Sequence, residues 1–194
     1  MAKADAHAND ADSPESGRKF DPGTLIADVY EVRATLGTGA MGAVYDTHDR
    51  VLNRRVALKF ALEEKYERAL LLEGQGLAAV HHAGLASIYT VGRHEGMSFL
   101  VMERVPGLSL RAHLGRIAAN TQLPIDEAMS ICVSIAETLS VVHRAGLAHR
   151  DVKPDNIILS SRGRVVLVDF GLVLPEFAMA DERRLVGTPS YMAP

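Results

Sequence analysis

The sequence predicts an α+β chain of two parts, a mainly antiparallel sheet followed by a helical half. Segments that alternate apolar and polar residues cluster before residue 104. Helical composition and three-to-four spacing take over from about residue 109. No repeat of fixed period interrupts this order.

The elements follow in turn. Residues 1–22 are rich in Ala, Asp, Ser and Asn, have little to bury and read as a disordered tail. Strands are predicted at 30–36, 43–48, 55–60, 87–91 and 97–103, five in all, with a turn at Gly37-Thr-Gly-Ala-Met-Gly42 between the first two. Residues 62–80, dominated by Glu, Lys, Arg, Leu and Ala, predict the first helix. Helices are expected again at 109–119 and 126–145. In the latter Ile131, Ile135, Leu139 and Val142 share one face, with Pro124 and Gly146 outside the ends. Two short β-rich runs, 156–159 and 164–168, flank Ser-Arg-Gly.

Composition narrows the function. The chain has 194 residues, 47% hydrophobic and 23% charged, as a soluble globular protein would. A net charge of −3 argues against a nucleic-acid partner. The single cysteine, Cys132, excludes an internal disulfide, and its apolar neighbourhood suggests a small core residue. No apolar run suits a signal peptide or a bilayer span, so a cytoplasmic location is expected.

Four motifs carry chemistry. Gly37, Gly39 and Gly42 spell G-x-G-x-x-G, and Val44 extends it to G-x-G-x-x-G-x-V. Glycines let backbone N–H groups approach phosphate oxygens without a Cβ in the way. A dinucleotide-binding turn shares this pattern but needs a helix directly after the glycines, and residues 43–48 alternate as a strand. An ordinary Gly-rich hairpin would also fit. Val56-Ala-Leu-Lys59 shifts the balance, because an ammonium on the next strand can reach phosphates held by the loop. Lys59 needs an acidic partner, and Glu63, Glu64, Glu67 and Glu73 all lie on the following helix.

His149-Arg-Asp-Val-Lys-Pro-Asp-Asn156 is the most specific signal. It matches H-R-D-x-x-x-x-N at all four fixed positions, where Asp151 can accept a hydroxyl proton, Asn156 can offer an oxygen to Mg²⁺, and Lys153 can set charge beside a phosphate. Asp169-Phe-Gly171 follows a β-rich run, and the Asp169 carboxylate suits the same hard cation.

With these motifs in order, residues 25–194 resemble the eukaryotic-type Ser/Thr protein kinases that bacteria also carry. The resemblance implies a two-lobed kinase-like fold: a complete N-lobe of five strands and one helix over 25–103, a hinge at 103–107, and a partial helical C-lobe over 108–194. It selects Glu73 as the partner of Lys59, because His82 stands nine residues later. It implies ATP and Mg²⁺ as cofactors and a protein Ser or Thr as acceptor. ATP would meet Gly37, Thr38, Gly39, Ala40, Met41 and Gly42 in the loop. Val44, Ala57 and Ile158 would sandwich the adenine, with Met102 as gatekeeper and the backbone of Glu103 and Val105 at its edge. Plain core roles would suit Val44, Ala57 and Ile158 nearly as well. Phe170 would pack against the glutamate-bearing helix. In Gly187-Thr-Pro-Ser-Tyr-Met-Ala-Pro194, Thr188 would bond near Asp151, and Lys153 with Thr188 favours Ser/Thr over Tyr specificity.

The chain also departs from the family pattern. It ends at Pro194, where the family continues, so a C-terminally truncated domain with an exposed apolar patch is expected. Residues 172–186 contain no Ser, Thr or Tyr, so Asp181 or Glu182 is expected to stand in for the phosphate that Arg150 would otherwise bind. His82-Ala-Gly-Leu85 replaces the frequent H-P-N-I. Two other readings share the nucleotide machinery: an inactive nucleotide-binding module, which truncation would favour, and a small-molecule kinase, against which Lys153 and the 187–194 segment stand.

Overall fold

A computed structural model describes residues 19–39, 42–61, 63–117, 122–170 and 188–191. The first lobe is a six-stranded antiparallel sheet in the order β1-β2-β3-β4-β6-β5. The strands are β1 (Leu25–Ile26), β2 (Tyr30–Gly39), β3 (Gly42–Asp49), β4 (Arg54–Ala61), β5 (Ile88–His94) and β6 (Met97–Glu103). Helix α1 (Glu64–Ala78) crosses between β4 and β5.

The sheet is buried on both faces, which β4 makes plain. Val56, Leu58 and Phe60 turn to one side, where Ile26, Val32, Tyr45, Phe99 and Val101 form the larger core. Ala57 and Ala61 turn to the other, against Leu70 of α1 with Leu100 and Met102. Alternation along one strand thus serves two cores. Register sets the site: Val44 lies opposite Lys59 and Lys59 opposite Leu100, while Asp46 lies opposite Ala57 and Ala57 opposite Met102.

The expected boundaries need two corrections. Phe20 falls within the expected disordered tail, yet it is buried and packs on Tyr45 and Phe60 with ring centroids 5.6 and 4.9 Å away. The lobe therefore begins before residue 25, and β1 raises the strand count from five to six. A lone aromatic among polar residues and a two-residue strand leave no periodicity to read.

The second lobe has β7 (Gly107–Ser109), α2 (Leu110–Arg116), α3 (Ile125–Arg144), β8 (Ile157–Ser160) and β9 (Val165–Leu167), with a 3-10 turn over Pro154–Asn156. The three strands form a small antiparallel sheet, β7-β8-β9. Gly107 is required there: its φ is +154°, and a Cβ would stand 2.2 Å from the Leu159 carbonyl oxygen. Ser109 caps α2 by accepting from the Ala112 N–H at 3.1 Å. The expected stripe of α3 is the buried one, with Ile131 and Val142 inside and Ile135 and Leu139 packed on the same core as Leu85, Ile157 and Leu167. Leu77 of α1 joins this cluster, so it links the lobes.

Cys132, expected in the core, is exposed. It stands about 100° around the helix from Ile131, outside the stripe. On that outer side Ile125, Met129 and Val133 are exposed at four-residue spacing. Among the described residues no helix is long and apolar enough to cross a membrane.

Candidate active site

The site lies where the α1-facing side of the sheet meets the connections around β8 and β9. Lys59 projects from β4, and its ammonium lies 3.0 and 2.7 Å from the two carboxylate oxygens of Glu73 on α1. Of the acids on this stretch whose side chains are described, Glu73 alone is turned to this lysine. Glu67 bonds Arg93 and Ser98, Glu63 pairs with Lys65 at 2.6 Å, and the side chain of Glu64 is outside the described ones. Gly74, next to Glu73, lets α1 lie close: a Cβ there would meet Leu100 at 2.8 Å.

Lys59 has a second partner. Asp169, just after β9 and at φ +62°, places Oδ1 2.5 Å from the same ammonium. Burial pushes the Lys59 ammonium down, but the two carboxylates outweigh it and raise it, so it stays charged. A buried, charged lysine held between two carboxylates, one of them nearly half exposed, marks a candidate functional centre.

Asp151 is the centre of a second network. Its Oδ1 accepts from the Thr188 hydroxyl at 2.6 Å, and its Oδ2 from Lys153 at 2.6 Å and the Asn156 amide at 3.0 Å. The same amide donates to the Asp151 backbone carbonyl at 2.8 Å, and Lys153 also reaches the Thr188 oxygen at 3.0 Å. Burial would raise the Asp151 carboxyl, yet Lys153, Thr188 and Asn156 hold it below the usual carboxylate range.

His149 supports both networks. It is buried, and its Nδ1 accepts from the Asp151 N–H at 3.3 Å while Nε2 lies 3.3 Å from the Val168 carbonyl. These partners define the neutral tautomer with the proton on Nε2, and burial lowers its pKa to match. Its ring lies 4.2 Å from that of Phe170, which is buried in the cluster containing Leu77 of α1. Arg150 takes φ +62° between His149 and Asp151.

The glycine segment differs from its expected form as a turn. Gly37, Thr38 and Gly39 continue β2, and Gly39 pairs directly with Gly42. A Cβ on Gly37 or Gly39 would meet nothing within 4 Å, whereas one on Gly42 would stand 2.1 Å from the Phe60 carbonyl oxygen. Ala40, Met41, Gly171 and residues 172–186, including Asp181 and Glu182, lie outside the described residues.

Val44, Ala57 and Met102 share the sheet face that carries Lys59, and Ile158 is half-buried on β8. The Glu103 N–H donates to Ser87 at 2.8 Å and is not available to a ligand. Val105 is buried. Sequence reading missed the groups around this connection: Asp46, Arg104 and Arg164 bond it from both lobes. It also missed Arg111, which lies 3.5 Å from Asp155 and bonds Tyr191, whose backbone N–H in turn donates to the Thr188 carbonyl. No motif marks these positions. Among the described residues no group of three or more His, Cys, Asp and Glu could hold a metal ion. Asn156 and Asp169 are instead two oxygen donors joined by the Val168 N–H to Asn156 carbonyl bond at 2.9 Å.

The model of the protein kinase domain matches residues 30–194, and the chain belongs to that family. A probable serine/threonine-protein kinase of Bifidobacterium longum, pknA2, is 30% identical over 90% of this chain. The serine/threonine-protein kinase PrkC of Bacillus subtilis is 30% identical over 89% of it. The chain spans 24% and 27% of the length of these relatives, about a quarter. Among solved structures, the PknI kinase domain of Mycobacterium tuberculosis is similar, with a TM-score of 0.68 and 29% identity. That match covers 79% of this chain and 62% of that one.

Proposed function

We propose that the chain carries the nucleotide site and catalytic loop of a Ser/Thr protein kinase, which moves the γ-phosphoryl group of Mg·ATP to a protein Ser or Thr hydroxyl. The observation that carries this reading is the adjacency of two charge networks, Glu73–Lys59–Asp169 and Asp151–Lys153–Thr188–Asn156. One is suited to phosphates, the other to a hydroxyl.

In this reading Lys59, held by Glu73, binds the α- and β-phosphates, and the backbone of Gly37, Thr38, Gly39, Ala40, Met41 and Gly42 covers them. Val44, Ala57 and Ile158 enclose the adenine, with Met102 behind it and the Glu103 and Val105 backbone at its edge. Asn156 and Asp169 would hold Mg²⁺. Their donor set fits, because Mg²⁺ takes one or two protein oxygens and completes its shell from phosphates and water. The ion supplies neutralisation of charge on the phosphate oxygens. Asn156 commits its NH₂ group to Asp151, which leaves the amide oxygen for the cation.

Asp151 orients the acceptor hydroxyl and takes its proton as the oxygen bonds to the γ-phosphorus and the bond to ADP breaks. Lys153 places positive charge beside the transferring group. A carboxylate held below its ordinary pKa is a weak base, which suits a loose transition state where the proton leaves late. The Thr188 hydroxyl donates to Asp151 Oδ1, the kind of contact that an acceptor Ser or Thr hydroxyl would make with this carboxylate.

The test is transfer of labelled γ-phosphate from Mg·ATP to a generic basic protein and to the chain itself, beside Asp151→Asn. Transfer in the parent and a fall of about 10²-fold or more in the variant are expected. A folded parent that binds ATP without transferring phosphate would overturn the enzymatic reading and leave a nucleotide-binding module.

A further inference from the structure

The segment leaving β6, Glu103-Arg104-Val105, is gripped from both lobes. Asp46 reaches it from β3, which is separated from β6 by β4. Cross-strand register places Asp46 in one row with Ala57 and Met102, so its carboxylate emerges from the face where the adenine site is proposed. The Asp46 side chain is 4% exposed. Its Oδ1 accepts from Arg55 Nε at 2.7 Å, and its Oδ2 bonds Arg55 Nη2. Oδ2 also accepts from Arg104 Nε at 3.0 Å, while Arg104 Nη1 donates to the Val105 carbonyl oxygen. From the other lobe, Arg164 beside β9 pairs with the Glu103 carboxylate and reaches the Ala83 carbonyl at 3.4 Å.

Arg55 alone engages both oxygens of Asp46, so a third donor is not needed to bury that charge. What Arg104 adds is a tie between strand β3 and the backbone of residues 104–105. A ligand that bonds this backbone would find it already ordered, and ordering on binding costs affinity.

We propose that Asp46 and Arg104 are positioning residues that hold the 103–105 backbone in the conformation that receives the adenine edge. This rests on the kinase reading above. Neither side chain needs to touch the nucleotide: Asp46 acts through Arg104, and Arg104 through the Val105 carbonyl. Burial would raise the Asp46 carboxyl, but the two guanidinium groups hold it below the ordinary range, so the clamp is charged at neutral pH.

The experiment measures ATP and adenosine affinities by calorimetry on the parent chain and on Arg104→Leu, Arg104→Lys and Asp46→Asn, with thermal unfolding of each. Arg104→Leu leaves Asp46 paired with Arg55, so the unfolding temperature stays near that of the parent. Its affinity for ATP and for adenosine falls by the same factor, about five- to tenfold, the ordering cost of one or two residues. Arg104→Lys recovers part of the loss, because a cation returns to Asp46, and Asp46→Asn reproduces it if the leucine variant does not fold. An ATP affinity within about twofold of the parent in Arg104→Leu, or in Asp46→Asn where the leucine variant does not fold, would overturn the clamp. A loss seen with ATP and not with adenosine would also overturn it, since the fault would then lie at the phosphate end. A parent that binds ATP while the variants match it defeats the clamp alone, whereas a folded parent that binds neither ligand defeats the kinase reading and the clamp together.

Discussion

Thr188 lies 37 positions beyond Asp151, yet its hydroxyl donates to that carboxylate while Lys153 bonds both. At the residue scale, such chemistry depends on groups whose charge state the fold sets. His149 is the clearest case. Burial depresses its pKa, so between the folded value and the unfolded value of about 6.5 the unfolded chain binds more protons. Stability from this group is present above the unfolded value and is lost as pH falls through that window. Denaturant unfolding should therefore show stability declining as pH is lowered below about 6.5, and His149→Phe should flatten that dependence. Lys59→Met would leave Glu73 buried beside no cation, with an expected loss of about 3–5 kcal/mol in urea unfolding. Lowering the pH toward protonation of Glu73 should narrow the difference from the parent. The motif residues themselves were legible because each is a chemical type at a fixed spacing. Asp46, Arg104 and Arg164 were not, since an ion pair across strands leaves no spacing in the chain.

At the element scale, the β2–β3 hairpin separates two kinds of glycine. Gly42 is pressed on the β4 backbone, whereas Gly37 and Gly39 face open space. Gly42→Ala should cost about 1–3 kcal/mol by urea unfolding as the hairpin shifts off Phe60. Gly39→Ala should stay within about 0.5 kcal/mol, so any fall in its ATP affinity would report the proposed phosphate contact and not the fold. Strands β2, β3, β4 and β6 were readable from alternation, and α3 from its stripe. Helix ends were less so: α2 stops at Arg116 and α1 at Ala78, short of the expected 119 and 80. Composition falls off gradually there, while the backbone turns abruptly at Ile117, which is extended with ψ 129°.

At the scale of the whole molecule, two surfaces were decided by packing between distant segments. Phe20 closes the larger core from outside the sheet. Phe20→Ala should destabilise the chain by about 3 kcal/mol in denaturant unfolding, a result foreign to a disordered tail. On α3 the exposed row of Ile125, Met129 and Val133 predicts the opposite response. Changing all three to Gln should leave the unfolding free energy within about 1 kcal/mol and reduce self-association seen by light scattering.

The sequence by itself determined the two-lobed class and, apart from the short strands β1 and β7, the order of strands and helices, and it named the groups of the candidate site. Alternation, helical spacing and motif chemistry are local properties, carried by residues close together in the chain. The resemblance named Glu73 for Lys59 and Thr188 for Asp151, and the fold brings both pairs together. Only the tertiary structure decided that Asp169 shares the Lys59 cation and that the 103–105 segment is tied to both lobes. These contacts join residues 14 to 110 positions apart. Their energies depend on burial and on distance through space, neither of which a local pattern encodes.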